Sequence, residues 1–442
     1  PDFLVGYFSD GFDLPYLRSR AEKNKIRLAL GLDNSQPRFS RGNVMTGKIE
    51  GIVHLDIFRF IKNVYSQYLQ SETLSLNEVA SELLGEKKHD FAFKKPEGIK
   101  EHEWADYFAY NLQDSILTYK LAEKMWPDFV EFSKIMQEPI FDVSRDSMSN
   151  HVENYIIHNL GRFNEIAEKR PLEKDIGERR QREKYEGAFV LQPTPGLYEN
   201  IVIFDFTSMY GSIIVTYNLS KSTLLEKKEI NSTEVNIEKK VYFSKQMGFF
   251  PSMLSEIIEK RKEYKQELKK NPSPITKARS NAFKLLTNAA YGYQGFFGAR
   301  YYCVEAAAAT AMLARETIKE TIEKVKKAGY RVIYADTDSI AFLLDKKSKS
   351  ETLTFLKKLN SQLPGIMELE LEDFYKRGIW VTKRDGEFGA KKKYALIDEK
   401  SRLKIRGFET VRRDWCNLAR NLQNNVLKKI LSDGNEVSAL EY

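Results

Sequence analysis

The sequence predicts an α+β fold, in which strands and helices are grouped along the chain rather than strictly alternating. Three observations indicate this class: an apolar strand-like run that leads into a helix at 200–214, two long amphipathic helices joined by a helix breaker within 250–291, and two short apolar runs around an acidic turn at 331–344. The length of 442 residues suggests about three domains.

The first part of the chain has α/β character. Hydrophobic periodicity predicts, in order, a strand at 3–7, a helix at 14–30 that Gly31 ends, a strand at 51–58, and helices at 76–84 and 104–125. The sequence starts at Pro1 and moves directly into a strand, although a βα unit normally has partner strands. We therefore expect the chain to be a fragment of a longer protein.

The rest of the chain begins with a charged helical connector at 141–183. The elements predicted next are a strand that ends at Asp205 and two helices, at 250–268 and 276–291, joined by the breaker Asn271 to Pro274. A helix at 305–327, capped by Gly329, a hairpin and a helix at 352–363 follow. The last predicted elements are a strand at 368–372, a β-meander at 379–405 with its tip at Asp385 and Gly386, and a helix at 415–431.

The acidic turn Asp336-Thr337-Asp338-Ser339 lies between two apolar β-rich runs and predicts a hairpin tip that carries two carboxylates. Such a turn could also be a plain solvated loop, because Asp favours turns for backbone reasons. If the chain is extended there, residues two apart point to the same side and both carboxylates can face one cation. Asp205, at the end of an apolar strand, supplies a third acid.

Aspartates in this arrangement could bridge two cations that activate an attacking oxygen and stabilise a departing oxygen on phosphate. The two cysteines and five histidines show no zinc-binding spacing, so any metal is expected to be held by oxygen. Mg²⁺ suits such ligands better than Zn²⁺.

Basic residues are concentrated rather than spread evenly. The segment from Lys376 to Arg413 holds 13 Lys and Arg against 5 Asp and Glu, within a chain whose net charge is +8. This favours binding of a polyanion, although a solvated charged face is the alternative. No apolar run approaches the roughly 20 residues needed to span a bilayer, and no secretory signal is visible, so we expect a cytoplasmic protein without a membrane partner.

The predicted helical hairpin carries two pairs of polar residues at helical spacing. Arg261 and Lys265 are four residues apart, as are Lys284 and Asn288, so each pair shares a helix face. Two such faces could clamp a polyphosphate while Tyr291 makes flat contact with a base. A charged surface helix would show the same spacing, and that alternative stays open.

Three motifs carry a family resemblance. DFTSMYGSII (205–214), KLLTNAAYG (284–292) and YADTDS (334–339) resemble, in order, the three polymerase motifs of family B DNA polymerases. YEGAFV (185–190), KKKY (391–394) and RGFETVRRDW (406–415) are further matches. The closest likeness is to archaeal replicative enzymes, and it extends over almost the whole chain.

The resemblance implies a right-hand polymerase fold with a truncated, ribonuclease H-like 3′ to 5′ exonuclease domain, and a fragment that lacks the N-terminal region and most of the thumb. The implied parts are a partial exonuclease domain at 1–140, a helical connector at 141–174, the first part of the palm at 175–249, the fingers at 250–302, the second part of the palm at 303–391, and the start of the thumb at 392–442.

The resemblance also implies roles for single residues. Asp205 and Asp338 become bridging metal ligands, the Phe206 carbonyl an additional ligand, and Asp336 a more dispensable acid beside them. The implied nucleotide contacts are Ser208, Met209, Tyr210, Arg261, Lys265, Lys284, Asn288 and Tyr291, with Tyr210 as the steric gate against a 2′-hydroxyl. The implied DNA contacts are Tyr185, Gly187, Lys392, Tyr394, Arg406, Arg412 and Arg413.

The front of the chain is similar to the second and third motifs of the family's exonuclease. GYFSDGFD places one acid at Asp13, and YNLQD places Tyr110 and Asp114. The first motif would lie before Pro1, so we expect no proofreading by this chain. Phe8 stands where that motif has Asn; other departures from the family pattern are Ala188, Gly211, Ala289 and an insertion at 385–390.

The resemblance thus implies a template-directed DNA polymerase of replication or repair that uses two Mg²⁺ ions, with Mn²⁺ able to substitute. Its partners would be primer-template DNA and dNTPs, and a sliding clamp bound through parts of the parent protein outside this chain. Its location would be cytoplasmic, at the nucleoid. The alternative is a non-catalytic DNA-binding scaffold, because some polymerase relatives keep the fold and lose the acids.

Overall fold

The computed structural model describes residues 1–40, 45–66, 68, 69, 71, 73–86, 100–182, 184–383, 386, 388–411 and 415–442. They form two compact units, one of Pro1–Leu160 with Glu263–Leu286 and one of Gly161–Lys262 with Thr287–Tyr442. Within the described ranges, no helix combines the length and the apolar character needed to cross a membrane.

The first unit is mainly helical. Its strands are β1 (Phe3–Gly6), β2 (Arg38–Ser40), β3 (Thr46–Lys48) and β4 (Val53–Asp56); β1 pairs with β4 in parallel, and β2 pairs with β3 antiparallel. Its helices are α1 (Asp13–Lys23), α2 (Ile57–Phe60), which continues into a π-helical turn (Ile61–Tyr65), α3 (Leu76–Leu84), α4 (Trp104–Met136), α5 (Ile140–Val143) and α6 (Met148–Asn159).

Helix α4 organises the core of this unit through apolar side chains at helical spacing. Leu117, Leu121, Phe129 and Phe132 are all fully buried. The ring of Phe60 lies with its centroid 4.3 Å from that of Phe129 and 5.7 Å from that of Phe132. Aromatic contacts of this kind fill space and fix the orientation of the neighbouring rings.

The second unit is built on one antiparallel sheet of seven strands. Its strands are β5 (Val190–Leu191), β6 (Gly196–Phe206), β10 (Arg331–Asp336), β11 (Ser339–Leu343), β12 (Leu369–Thr382), β13 (Gly389–Asp398) and β14 (Leu403–Arg406), in the spatial order β14-β13-β12-β6-β11-β10-β5. A separate small sheet contains β7 (Leu224–Leu225), β8 (Thr233–Asn236) and β9 (Lys240–Phe243). The other elements are α7 (Glu173–Arg180), α8 (Met209–Tyr217), α11 (Val304–Lys327), α12 (Lys349–Asn360), α13 (Asn417–Asp433) and α14 (Val437–Leu440).

Strand β6 lies inside the sheet and is buried on both faces. Val202 and Phe204 point to one face and join the core beneath α8 and α11, whereas Ile201 and Ile203 point to the other face and join a cluster around Trp380. The small residues predicted for close packing, including Ala306 and Ala309 of α11, are fully buried in the first of these cores.

The two helices of the helical hairpin are α9 (Phe249–Lys270) and α10 (Pro274–Gly295), and residues 263–286, which join them, belong to the first unit. Arg279 of α10 forms a bidentate pair with Glu131 of α4, at 2.6 and 3.1 Å, and the Glu131 side chain is only 2% exposed. Tyr264 of α9 stacks on Phe283 of α10 with ring centroids 5.4 Å apart. These contacts fix the end of the helical hairpin within its unit.

Most predicted elements are confirmed, including the helical hairpin, the helix before the acidic turn and the meander. The prediction that the first helix reaches residue 30 was wrong, because α1 ends at Lys23. The side chain of Asn24 caps the helix by donating a 2.7 Å hydrogen bond to the Arg20 carbonyl, and Lys25 has φ +56°. Helix α4 runs through Pro127 to Met136 instead of ending at 125. Asp385 of the predicted hairpin tip, and with it part of the predicted insertion at 385–390, lies outside the described residues.

Candidate active site

The acidic turn joins β10 to β11, which confirms the predicted hairpin. Asp336 pairs with Ser339 across the strands, and Thr337 has φ +59°. The chain is not extended between the two carboxylates, as the prediction had assumed, because this left-handed residue reverses its direction there. Asp338 therefore lies in the turn, whereas Asp336 ends a strand.

Asp205 and Asp338 lie at the same end of neighbouring strands. Ser339 pairs with Asp205 across β11 and β6, and the amide of Phe206 donates a 2.8 Å hydrogen bond to the carbonyl of Asp338. Backbone pairing thus brings the two acids to the same end of the sheet. Glu370 of β12 pairs with Asp205 from the other side of β6.

Burial and like charge raise the pKa of both acids above the ordinary value of an aspartate. Burial, followed by the charges of Asp338 and Glu372, raises the pKa of Asp205 to about 7. Burial, Asp336 and Glu372 raise the pKa of Asp338 to about 6, while Lys392 opposes this rise. Carboxylates that repel each other in a buried site are suited to a divalent cation, whose charge would offset the repulsion.

The carboxylate of Asp336 is held by three neighbours. Its Oδ1 accepts a 3.0 Å bond from the Thr337 hydroxyl and lies 3.2 Å from the ammonium of Lys392, and its Oδ2 accepts from the Tyr334 hydroxyl at 3.3 Å. Across the part of the chain that the structure describes, no three or more His, Cys, Asp or Glu side chains converge closely enough to hold a metal. The three predicted acids are thus not gathered into one cluster.

Two of the predicted nucleotide contacts, Tyr210 and Tyr291, stack on each other. The ring of Tyr210, at the start of α8, stacks on Tyr291 of α10, with centroids 4.2 Å apart and an interplanar angle of 13°. The hydroxyl of Tyr291 lies 3.2 Å from that of Tyr185. A flat aromatic pair backed by a third tyrosine offers a rigid surface with little rotamer entropy to lose.

The other predicted nucleotide contacts differ in their burial and in the unit to which they belong. Ser208 precedes α8 with φ +51° and accepts a hydrogen bond from the guanidinium of Arg261. The side chain of Met209 is 2% exposed in the core, so any contact it makes with a nucleotide would have to use its backbone. Asn288 and Arg261 belong to the second unit.

Lys265 and Lys284 belong to the first unit. Lys284 has its ammonium 5.8 Å from the ring centroid of Tyr68. Each of the two lysines lies on a long helix that also carries one of the other two residues, as their spacing predicted. Convergence of all four on one triphosphate stays a prediction.

The predicted DNA contacts divide into exposed and buried groups. Arg406 is exposed on β14, and Lys392 is exposed beside Asp336, with φ +62° and its amide donating to the Tyr334 hydroxyl at 2.9 Å. The ring of Tyr394 is 8% exposed and stacks on Trp380, so it supports the sheet more than it offers a surface. Arg412 and Arg413 lie outside the described residues.

Comparison with known proteins identifies the family. The profile of DNA polymerase family B matches residues 139–441, and that of the exonuclease domain of the same family matches residues 1–79. The chain belongs to DNA polymerase family B. This confirms the resemblance and the α+β polymerase fold.

Relatives of this family B chain come from archaea. It is 36% identical to DNA polymerase 1 of Pyrococcus abyssi and 37% identical to a DNA polymerase of Pyrococcus glycovorans, in each case over 100% of this chain and 57% of the relative. The solved family B DNA polymerase of Pyrobaculum calidifontis matches with a TM-score of 0.71 and 30% identity over 98% of this chain and 54% of that one. The chain thus spans a little over half the length of these relatives.

The exonuclease region of this family B chain contains a cleft of about 350 Å³ in the first unit. Asp13, at the start of α1, and Asp114 of α4 both line it, and Tyr110 lies one turn earlier on α4. Burial raises the pKa of Asp13. The motif acids thus share one cleft, as their spacing along the chain could not have shown.

Sequence reasoning missed two charged groups beside the polymerase acids. Glu372 of β12 accepts a 2.6 Å hydrogen bond from the Tyr375 hydroxyl and pairs with Lys404 of β14, and both of these charges act on Asp205. The alternation of acidic and apolar residues at 368–372 was the available signal. It predicted a half-buried strand but not which end of the sheet the acids would reach.

Proposed function

We propose that this chain catalyses template-directed addition of dNTPs to the 3′-hydroxyl of a DNA primer, in replication or repair. The observation that supports this most strongly is the pair Asp205 and Asp338, which lie at the end of β6 and in the turn that leads into the neighbouring strand β11, with pKa values raised by burial and by neighbouring acids. A chain in this family with such a pair is suited to binding the divalent cations that phosphoryl transfer needs.

Asp205 and Asp338, with the carbonyl of Phe206, would hold two Mg²⁺ ions, and Mn²⁺ could replace them. Bound there, the ions would lower the pKa of the attacking hydroxyl and neutralise charge on the phosphates. In the proposed site, the protein's own work is alignment of the primer hydroxyl with the α-phosphorus. Asp336 is a supporting acid whose carboxylate is largely engaged with its neighbours.

The nucleotide would be selected by shape. In our proposal, the ring of Tyr210 packs under the sugar and leaves no room for a 2′-hydroxyl, while Tyr291 lines the base pair that forms. Arg261, Lys265, Lys284 and Asn288 would bind the triphosphate. Their cationic groups would neutralise charge on the pyrophosphate as it leaves, and the amide of Asn288 would donate a hydrogen bond to it.

DNA would be held mainly by positive charge. The proposed contacts to primer and template are Tyr185, Gly187, Lys392, Arg406, Arg412 and Arg413, together with Tyr394, whose buried ring would act mainly by supporting the sheet beneath them. We also propose the six-part division of the chain given above, attachment to a sliding clamp by the whole protein, and a cytoplasmic location at the nucleoid.

Substitution of Asp338 tests the proposed reaction. Asp338→Ala should lose primer extension in Mg²⁺ and keep duplex binding, because it removes a metal ligand without touching the basic surface. Asp345→Ala is the matched control, since Asp345 lies at the other end of the same hairpin in an exposed pair with Arg331. Undiminished primer extension by Asp338→Ala would contradict the proposed role of Asp338 as a metal ligand of the polymerase site.

The same assay separates the rival function. A DNA-binding scaffold would show salt-dependent duplex binding and no incorporation of nucleotides by the wild-type chain, with or without Mg²⁺. Binding of DNA together with Mg²⁺-dependent extension would exclude it.

A further inference from the structure

Arg315 of α11 is largely buried and directed at the backbone of another segment. Its Nη1 donates hydrogen bonds to the carbonyl oxygens of Glu186 at 2.5 Å and Gly187 at 2.9 Å. The Arg315 side chain is 13% exposed, whereas the Glu186 carboxylate, 3.3 Å away, is 79% exposed. A solvated ion pair contributes little, so the two carbonyl contacts account for the position of the guanidinium.

The backbone that Arg315 holds is residues 185–191, which we call the strap. At one end of the strap, the Tyr185 hydroxyl lies 3.2 Å from the Tyr291 hydroxyl. At the other end, the carbonyl of Phe189 accepts a 2.9 Å bond from the amide of Thr337, and Val190 pairs with Asp336. The strap therefore contacts both the tyrosine stack and the acidic turn.

The region around Tyr185 is closely packed against α10. A side chain at Gly295 would bring its Cβ to 3.1 Å from the Tyr185 hydroxyl, so α10 approaches the strap closely. Burial raises the pKa of Tyr210 to about 12, and the positive charge of Arg315 opposes that rise.

We propose that Arg315 is a positioning residue for sugar selection. By fixing the carbonyls of Glu186 and Gly187 it fixes Tyr185, and through Tyr185 and Tyr291 it holds the ring of Tyr210 in place. This inference rests on the proposed polymerase function and deepens it. Arg315 then favours deoxyribonucleotides without contacting the nucleotide.

Kinetic discrimination provides the first test. Arg315→Ala should lower the ratio of kcat/KM for a dNTP to kcat/KM for the matching rNTP by about tenfold, the factor expected for loss of a charge-assisted hydrogen bond. Arg315→Lys, which keeps one donor, should recover part of the ratio. A purely structural role would reduce the active fraction equally for both nucleotides, so an unchanged ratio would overturn the proposal.

A double-mutant cycle tests the route. If Arg315 acts through Tyr185, then Tyr185→Phe should lower the same ratio, and adding Arg315→Ala should lower it little further. Independent, multiplying effects would overturn a route through Tyr185. Lys326→Ala, in an exposed pair with Glu323 on the same helix, is the control and should leave the ratio unchanged.

Amide hydrogen exchange provides a readout that does not need activity. Residues 185–191 should exchange faster in Arg315→Ala than in the wild type, while the buried strand β6 exchanges at the same rate. Unchanged exchange in the strap would overturn the positioning role. A wild-type chain that extends no primer would overturn the proposed function and the sugar selection with it, whereas exchange would still decide whether Arg315 holds the strap.

Discussion

Replacing Asp205 with asparagine should make the metal-free protein more stable at pH 8 even though it removes a proposed metal ligand. Burial, Asp338 and Glu372 raise the pKa of Asp205 from its ordinary value of 3.8 to about 7. In the unfolded chain the carboxyl ionises near its ordinary value. The folded state therefore binds more protons than the unfolded state between about pH 4 and 7, and stability falls as the pH rises through that window.

The size of the effect follows from that rise in pKa. A change from 3.8 to about 7 corresponds to at most about 4 kcal/mol of destabilisation above pH 7. Water penetration and relaxation of the pair reduce this, so we expect Asp205→Asn to gain about 2 kcal/mol at pH 8. For the second unit, which contains Asp205, this gain in stability corresponds to a rise in Tm of about 4 °C.

Thermal unfolding with EDTA at pH 8 and at pH 4 is the assay. The increase in Tm of Asp205→Asn over the wild type should be present at pH 8 and become smaller towards pH 4. At pH 8 it should also become smaller when Mg²⁺ replaces EDTA, because a bound cation would offset the repulsion between the acids in the wild type. Asp345→Asn on the same hairpin controls for loss of a surface charge. An equal gain at both pH values, or no gain at pH 8, would refute the reasoning about the acidic pair.

Three other substitutions have defined outcomes. Asp338→Asn should lower the rate of single-nucleotide incorporation about tenfold more than Asp336→Asn does. The reason is that the Asp336 carboxylate is already engaged by its neighbours. Equal losses of rate in the two variants would contradict this. Tyr210→Ala should lower discrimination between dNTP and rNTP by about 100-fold in steady-state kinetics, and a preserved ratio would argue against a steric gate. Arg279→Met should destabilise the first unit by about 3 kcal/mol in urea unfolding, since the buried Glu131 loses its bidentate partner and keeps the Lys134 ammonium at 3.5 Å, and Arg279→Met with Glu131→Leu should recover much of the loss. An unaltered urea midpoint in Arg279→Met would show that this pair contributes nothing.

Elements with strong local signals were predictable from the sequence. Helices α9 and α10 combine long amphipathic patterns with a Pro-rich breaker, and the acidic hairpin combines two apolar runs with a tight turn. Helix α1 was predicted too long because its sequence stays compatible with a helix up to Gly31. Its end is set by the local backbone at Asn24 and Lys25, which periodicity does not report.

The site was only partly predictable, for reasons of tertiary packing. Sequence spacing identified Asp205 and Asp338, but the burial of Met209 and of the Tyr394 ring follows from which face of an element meets the core. The proximity of Glu372 to Asp205 arises because β12 pairs with β6, an association between segments far apart in sequence. Single-sequence reasoning carries no signal for such pairings.

The strand order has a consequence for how the chain folds. Strand β6 ends at residue 206, yet its two neighbours are β11, which starts at residue 339, and β12, which starts at residue 369. During synthesis, β6 therefore leaves the ribosome with both edges unpaired, and its partner strands are made only after more than a hundred further residues. Such non-local pairing makes folding slow and leaves an apolar strand open to aggregation in the meantime. Helix α8, which directly follows β6 and packs on one of its faces, is the first element available to shield it.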